Sequence, residues 1–445
     1  RHLTVLAERS ARIYPLGFQK GVSHASPYKQ RVHLVNKIFN HAYFVRNFGS
    51  AEYGDKGVFG IFERSAEKFQ LLFHEKTADR ILDKCRDSRS RGMGAVRRAE
   101  SVVDVYFRKR SKTLAKSGIV GAGGAGFPTH VKMNAKAEYV IINGAECEPL
   151  LRVDQQLMAV ETKKILDALK LCMEAVGADK GVIALKGHYE AAINSFNQLL
   201  GEYEGISLHL LPNFYPAGDE QITVYEVTGR IVPEGGIPLQ CGVIVSNVET
   251  MLNIYNAYFE DKPVTDSYVT FAGEVKNHIT LKLPLGMTVK EALDLAGGVT
   301  VNGPYVVING GPMMGKHVAL DSKITKTTKG LIVLPEDHPL IQDVKLPIPK
   351  MLHMAKAACC HCSMCSEVCP RHLIGHRIEP NKTIRFASYG SLCDGSDTPM
   401  IAFLCSECRL CQYACIMNLQ PWKVNHELKG LSLIHISEPT RLDVI

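Results

Sequence analysis

Two runs of cysteines with identical spacing are the residues of this sequence best suited to chemistry. Each run has the pattern C-x2-C-x2-C-x3-C, and a proline follows the first run but not the second. Bacterial proteins use this pattern to hold 4Fe–4S clusters through cysteine thiolates. The first run consists of Cys359, Cys362, Cys365 and Cys369, and the second run consists of Cys405, Cys408, Cys411 and Cys415.

The fourth cysteine of each run is set apart from the other three by the longer gap. In proteins with two clusters, this fourth cysteine ligates the cluster of the other run. We therefore predict site A, formed by the first three cysteines of the first run with Cys415, and site B, formed by the first three of the second run with Cys369. Zinc sites usually pair two C-x2-C units over a longer spacer, so the spacing favours iron–sulfur clusters. Cys360 breaks the spacing and is not expected to be a ligand.

The distribution of cysteines indicates a reducing compartment. Ten of the 14 cysteines lie between Cys359 and Cys415, whereas secreted disulfide scaffolds are short and spread their cysteines. We therefore expect metal ligation in the cytoplasm. The isolated cysteines are predicted to be ordinary buried thiols, and they are Cys85, Cys147, Cys172, Cys241 and Cys393.

Length and composition favour a soluble protein of two or three domains. The chain has 445 residues, of which 46% are hydrophobic and 22% charged. No apolar run reaches the roughly 18 residues of a membrane helix, and we expect no signal peptide. Residues 1–110 hold 22 Lys and Arg against 11 Asp and Glu, but they show no periodicity or known motif. We interpret them as an unrelated, foreign leader and expect no nucleic-acid partner.

A glycine-rich loop fits the letters of the dinucleotide fingerprint. The stretch "GAGGAGFPTHVK", residues 121–132, contains G-x-G-x-x-G. A Rossmann loop should follow a buried strand, yet only three residues separate this loop from a polar run. Pro128 suits the first turn of a helix, which is predicted to begin near Thr129. The letters alone are compatible with a structural turn or with a phosphate-binding loop.

The rest of the chain reads as three structural units. Strands in "EYVIING", "KGVIALK", "GISLHLLPN" and "CGVIVSN" alternate with helices over residues 111–262, which predicts a largely parallel sheet. A single long helix is predicted over "DQQLMAVETKKILDALKLCMEAVG". Residues 263–335 read strand, strand, helix, strand, which is typical of a β-grasp unit. Residues 350–430 carry the cysteine runs, and we expect residues 431–445 to be a non-native tail.

Both the glycine loop and the cysteine runs are required if the protein oxidises a nicotinamide cofactor and passes the electrons to clusters. A hydride carries two electrons, whereas each cluster accepts one. A flavin is the natural converter between the two. We therefore predict that the loop serves a flavin–nicotinamide site that feeds the clusters.

Several motifs together resemble a known superfamily. "GAGGAGFPTHVK", "NGAECEP", "YPAGDE" and "SNVET" resemble the flavin- and NADH-binding core of the complex I flavoprotein subunit and of the Rnf complex C subunit. "KTTKGLIVLPEDHPLI" and "CPRHLIGH" are more similar to the propanediol-utilisation cobalamin reductases. Over residues 105–430, the resemblance implies an α/β fold with a Rossmann-like FMN/NADH-binding core. A β-grasp domain of the SLBB type and a helical, ferredoxin-like domain with two 4Fe–4S clusters would follow it. The barrel-like domain of the family is not recognisable in this chain.

The resemblance also implies the residues of an FMN and NAD(H) site. The loop backbone would cradle the FMN phosphate, while Phe127 would stack on NADH and Lys132 would contact it electrostatically. Glu148 would lie near the nicotinamide. Ala145 departs from the family, which often has an acidic residue there. The remaining implied residues are Gly121, Gly123, Gly124, Gly126, Asn143, Glu146, Tyr215, Gly218, Asp219, Glu220 and Asn247.

The implied function is electron transfer from NADH through FMN and two clusters to a corrinoid, as an NADH-dependent oxidoreductase. One alternative is the electron-input C subunit of a membrane Rnf-type complex, and another is a ferredoxin-like carrier with an inactive flavin site. The implied partners are a corrinoid or protein acceptor, with a cobalamin adenosyltransferase or Rnf-type membrane subunits. The implied location is the cytoplasm, within a bacterial microcompartment or on the cytoplasmic face of the membrane.

Overall fold

A computed structural model describes residues 113–389 and 401–437, with side chains as far as residue 430. The leader predicted at 1–110 lies outside the described residues, as do Cys85 and Cys393. In the part of the chain that the structure covers, no helix is both long and apolar enough to cross a bilayer.

A four-stranded parallel sheet forms the centre of the first unit. Its strands are β1 (Tyr139–Gly144), β2 (Lys180–Lys186), β3 (Ile206–Leu211) and β4 (Val243–Asn247). They lie in the order β3-β2-β1-β4 and all pair in parallel. The chain moves outward from β1 to β3 and then returns to the other side of β1, so the strand order reverses between β1 and β4. Open parallel sheets bind ligands at such a reversal, beyond the carboxyl ends of the strands.

Helices cover both faces of this sheet, as expected for a Rossmann-like core. They are α1 (Thr129–Lys132), α2 (Val153–Val160), α3 (Thr162–Val176), α4 (Glu190–Leu199), α5 (Glu220–Thr228) and α6 (Val248–Phe259). Helices α2, α3, α4 and α6 pack on one apolar face, and α5 packs on the other. The prediction of one long helix was wrong, because α2 ends at Val160. The Thr162 hydroxyl donates to the carbonyl of Met158 at 2.7 Å, where a local hydrogen bond competes with helix continuation.

The second unit is a five-stranded sheet with one helix. It contains β5 (Asp266–Gly273), β6 (Thr280–Pro284), α7 (Val289–Leu295), β7 (Tyr305–Asn309), β8 (Lys316–Val318) and β9 (Gly330–Pro335). The strand order is β6-β5-β9-β7-β8, and only the β5–β9 pair is parallel. The apolar side of α7 packs into the core of this sheet. The first four of these elements match the predicted β-grasp order, and β9 adds the central strand.

Helices surround the two cysteine runs. They are α8 (Pro339–Lys345), α9 (Ile348–Ala358), α10 (Met364–Glu367), α11 (Pro370–Leu373), α12 (Pro380–Tyr389), α13 (Leu410–Tyr413) and α14 (Pro421–Ser437). Their small core contains Met351, Ala355, Ile384, Leu419 and Val424. Because this core is small, the positions of the cysteines depend on contacts with the rest of the chain as well.

Candidate flavin and iron–sulfur sites

Two asparagines mark the carboxyl edge of the sheet where the strand order reverses. Asn143 on β1 and Asn247 on β4 are direct partners across the two strands. The Asn143 side chain donates to the carbonyl of Gly218 at 2.8 Å. The Asn247 side chain accepts from the backbone N–H of Glu249 at 2.9 Å and so caps α6. The predicted flavin-side residues of three separate segments therefore meet at one edge.

The glycine loop is closed by its own ends rather than by a strand. Val120 and Pro128 form an isolated β-bridge, and the N–H of Gly121 donates to the carbonyl of Phe127 at 2.9 Å. The N–H of Ala122 donates to the Thr250 hydroxyl at 3.0 Å, which fixes the loop against α6. As predicted, this is not a Rossmann fingerprint, and a helix begins at Thr129.

In the middle of the loop, glycine leaves the backbone open to close approach by a ligand. A Cβ atom added at Gly123 would lie 2.9 Å from the Asn247 side-chain nitrogen, whereas one added at Gly124 would meet nothing within 4 Å. Gly126 has φ +70°, which favours glycine. Among the described hydrogen bonds, the N–H groups of Gly123 and Gly124 donate to no protein acceptor. Exposed N–H groups on a tight loop form an anion-binding concavity, so the loop fits the phosphate of FMN.

Phe127 and Lys132 lie together at the rim of this loop. The Phe127 side chain is 48% exposed, so one face of its ring is accessible. The Lys132 ammonium lies 6.0 Å from the centre of that ring. It donates to the carbonyl of Val245 at 2.8 Å and to the Glu220 carboxylate at 3.2 Å. An accessible ring beside a cation suits the stacking and charge of a nicotinamide nucleotide.

Glu146 caps a helix from a partly buried position. Its carboxylate accepts the backbone N–H groups of Asp154 and Gln155 at 2.9 and 3.2 Å, at the start of α2. Its backbone has φ 37°, a strained conformation for a residue other than glycine. Burial, reinforced by the charge of Asp154, raises the pKa of Glu146 to about 7.

Glu148 ties the flavin unit to the β-grasp unit. Its carboxylate accepts the backbone N–H groups of Met313 and Met314 at 3.0 and 2.7 Å. A Cβ atom at Gly311 would collide with this carboxylate, so the "GPMMG" turn needs glycine there. Burial raises the pKa of Glu148. The implied role near the nicotinamide stays a prediction, since this carboxylate is engaged by the β-grasp turn.

The loop at residues 215–220 reaches both cysteine runs. The Tyr215 hydroxyl donates to the carbonyl of Cys408 at 3.0 Å. Asp219 accepts from Arg371 at 2.8 Å and also caps α5 through the backbone N–H groups of its first turn. At Gly218, an added Cβ atom would lie 3.1 Å from the sulfur of Cys147. A predicted flavin-side loop therefore contacts cluster-bearing segments directly.

The structure brings the eight cysteines into the two predicted groups. The four cysteines of site A line one cavity: Cys359, Cys362, Cys365 and Cys415. Burial raises the pKa of the Cys369 thiol to about 11, with further contributions from the charges of Cys405 and Cys408. The pKa of the Cys411 thiol, which is almost fully buried, is raised by burial and by the charges of Cys405, Cys408 and Cys369. Each fourth cysteine therefore lies with the opposite run, which favours the crossed ligation.

The number and type of ligands in each predicted group fit a 4Fe–4S cluster. A 4Fe–4S cube has four irons and four cysteine ligands, so its thiolates are spread around the cube. A zinc ion instead needs four ligands within about 2.3 Å of one centre.

The two cysteine runs are conformational repeats. The second residue after the first cysteine is left-handed in both, with φ 57° at His361 and 59° at Glu407. The fourth residue is left-handed too, with φ 62° at Ser363 and 66° at Arg409. Such conformations cost on the order of 1–3 kcal/mol each outside glycine and persist where function requires them. The same strained turn therefore wraps the first three cysteines of each run.

Sequence reasoning did not find three residues of the site. Arg371 follows Cys369 and Pro370 directly, so its proximity to a cluster could have been read from the spacing. Thr250 ends the "SNVET" motif, and the register of α6 turns its hydroxyl to the glycine loop. Asp154 gave no signal, because a buried carboxylate at a helix start looks like any exposed cap in sequence.

Family models match three parts of the chain. Residues 114–256 match the Nuo51 FMN-binding domain, residues 268–316 match the SLBB domain, and residues 358–420 match a 4Fe–4S dicluster domain. The fold class expected from the sequence is thereby confirmed. FMN and two 4Fe–4S clusters are the cofactors of such a chain.

Similar proteins include two kinds of redox enzyme. The cobalamin reductase PduS of Citrobacter freundii is 46% identical over 318 residues, which cover 70% of this chain and 69% of that protein. The Na+-translocating ferredoxin:NAD+ oxidoreductase complex of Acetobacterium woodii has a C subunit that is 35% identical over 268 residues, or 59% of this chain and 58% of that one. A crystal structure of an NAD+-reducing NiFe hydrogenase in its H2-reduced state has a TM-score of 0.47 at 17% identity, and the match covers 72% of this chain and 60% of that one.

We predict that Gly123→Val abolishes FMN retention. The added side chain would press on Asn247 and block the close approach of a phosphate to the loop backbone. Gly187→Val is the matched control, because a Cβ atom at Gly187 meets nothing within 4 Å. The measurement is the flavin-to-protein ratio of the purified, folded variants. Full FMN occupancy in Gly123→Val would remove the glycine loop from the flavin site.

We predict that Cys369→Ser damages site B and leaves site A intact. Electron paramagnetic resonance of the dithionite-reduced protein should lose the signal of the cluster held by the second run. Cys360→Ser is the matched control and should keep both signals, because Cys360 lies outside the spacing of the run. Loss of the site A signal in Cys369→Ser, or loss of either signal in Cys360→Ser, contradicts the crossed ligation.

Proposed function

Because this chain belongs to the family of the PduS cobalamin reductases, we propose that it oxidises NADH and reduces a corrinoid one electron at a time. FMN, when bound, accepts two electrons as a hydride and releases them singly. The observation that carries this proposal is the double contact between the loop at residues 215–220 and the cysteine runs, since it joins the flavin edge of the sheet to a cluster site.

The residues at the rim of the glycine loop are suited to hold NADH. Phe127 offers an accessible ring face, and Lys132 offers a compact positive charge for an anionic cofactor. The Lys132 ammonium is paired with Glu220. We propose that the anionic cofactor competes with Glu220 for this ammonium, while the carbonyl of Val245 continues to accept a hydrogen bond from it.

Site B is the proposed entry point for electrons from the flavin. Tyr215 bonds to the backbone of Cys408, and Asp219 pairs with Arg371, which lies two residues after Cys369. Both contacts anchor ligands of site B to the flavin-side loop. Cys369, Cys408 and Cys411 are all buried, so this site is screened from solvent.

Site A is the proposed exit. Cys362 is exposed, and the other three cysteines of the site are only partly buried. The cavity that they line also includes Ile416 and Met417, which are both exposed. An acceptor can therefore approach site A more closely than site B, and the apolar rim suits the face of a corrinoid ring.

The proposal extends to the partner protein and to the cellular location. A cobalamin adenosyltransferase is a suitable partner, because a reduced corrinoid is short-lived unless it is consumed at once. A location inside a bacterial microcompartment would agree with the family. The Rnf-type alternative rests on the 35% identity to the C subunit of the Acetobacterium woodii complex, and it would replace the corrinoid by a membrane-bound partner of the redox complex.

The test is NADH oxidation by the FMN- and iron-loaded protein with cob(II)alamin or ferredoxin as the acceptor. We expect cob(II)alamin to be reduced, with two equivalents consumed per NADH. Lys132→Ala should raise the NADH concentration for half-maximal rate roughly tenfold, about 1.4 kcal/mol, while Lys136→Ala should not. Reduction of ferredoxin alone would favour the Rnf-type role, and failure to retain FMN would favour the carrier module.

A further inference from the structure

A fully buried amide on α14 has no hydrogen-bond partner in the protein. Asn425 is completely enclosed, and among the described residues neither its Oδ1 atom nor its Nδ2 atom makes a hydrogen bond. An unpaired amide in a protein interior is costly and points to a partner outside the chain, such as a ligand, an ion or a water. The position of Asn425 identifies that partner.

The face of α14 that carries Asn425 is turned to the second cysteine run. Lys429 lies four residues later, on the same face of the helix, and its ammonium donates to the carbonyl of Cys405. Trp422 lies three residues earlier on this face, and its indole N–H donates at 2.7 Å to the side chain of Gln412 in α13. Asn425 therefore lies between two contacts that hold α14 against the segments of site B.

The sulfur of Cys405 is the acceptor nearest in character to what this amide lacks. The backbone N–H of Glu407 already donates to the Cys405 Sγ atom at 3.3 Å. Burial raises the pKa of the Cys405 thiol, and the Asn425 side chain opposes that shift by stabilising the thiolate. A cysteine that ligates a metal is deprotonated, so loading of site B gives the amide an anionic acceptor.

The equivalent helix at site A has an apolar residue in this place. Helices α12 and α14 both begin with a proline, and each follows the fourth cysteine of a run. Counted from that proline, Asn425 corresponds to Ile384, which is buried and lines the cavity of site A. An isoleucine side chain has no N–H to donate. At this helix position, the two sites therefore differ by one buried hydrogen-bond donor.

We infer that Asn425 donates a hydrogen bond to the sulfur of Cys405 and thereby raises the reduction potential of site B. Reduction of a 4Fe–4S cluster adds one electron and no proton, so the negative charge shared with the ligand sulfurs increases by one. A donor at a ligand sulfur stabilises this added charge, and hydrogen bonds to sulfur are among the features that set cluster potentials. Asn425 acts through a ligand, so it is a positioning residue. The inference concerns site B whatever donor and acceptor the protein uses.

The test is a potentiometric titration of the cofactor-loaded full chain, read by electron paramagnetic resonance. Asn425→Leu keeps the approximate size of the side chain and removes the amide. At the wild-type midpoint of site B, the ratio of reduced to oxidised cluster should fall about tenfold, which is the order expected for one hydrogen bond to a charged group. For one electron this equals a shift of about 59 mV to lower potential. The midpoint of site A should not move.

The matched control is Asn302→Leu, the same chemical change at an exposed asparagine of the β-grasp unit. It should leave both midpoints unchanged. A second measurement uses the wild-type side chain, in protein that carries nitrogen-15 only in its asparagine side-chain amides. Pulsed paramagnetic resonance of the reduced protein should show a coupling of this nitrogen to the site B signal.

The inference is overturned if Asn425→Leu titrates at the wild-type midpoint of site B. It is also overturned if the site B signal shows no coupling to the labelled amide. If Asn425→Leu does not assemble the cluster, the coupling in the wild-type protein decides alone. Both measurements use dithionite as the reductant, so a failure of NADH or cob(II)alamin to react would contradict the proposed function and leave this inference standing.

Discussion

The contact between the loop at residues 215–220 and the cysteine runs is the constraint on which the rest of the structure depends. Asp219 does two things at once: it caps α5 and pairs with Arg371 next to Cys369. Both side chains of this pair are largely buried, so removing one partner would cost about 3–5 kcal/mol. A flavin edge and a cluster site can exchange electrons only if they are held together. This ion pair and the Tyr215–Cys408 hydrogen bond keep the flavin-side loop in contact with site B.

The same edge of the sheet concentrates the chemistry of the protein. The reversal of strand order between β1 and β4 sets Asn143 beside Asn247 and leaves the glycine loop above them. The β-grasp unit closes the edge from the other side, where Glu148 binds the turn at Met313 and Met314.

Local patterns predicted much of this arrangement, and long-range packing decided the rest. The spacing of the cysteines predicted two crossed groups, and the structure places each fourth cysteine near the opposite run, while the crossed ligation itself stays a prediction. The alternation around "EYVIING" predicted β1, because that pattern is local. The break between α2 and α3 was missed, since a hydroxyl on Thr162 rather than a glycine or proline ends the pattern. Asp154 was missed because its burial arises only when distant segments meet.

The order of the two clusters is the central claim, and freeze-quenched paramagnetic resonance tests it most directly. Cys362→Ser removes a ligand of site A, and Cys405→Ser removes a ligand of site B. Each lies among the first three cysteines of its run, so the crossing does not affect the test. After mixing with NADH, Cys362→Ser should still show the reduced cluster of site B. Cys405→Ser should leave the cluster of site A oxidised, although dithionite reduces it. Rapid reduction of site A by NADH in Cys405→Ser would contradict the account.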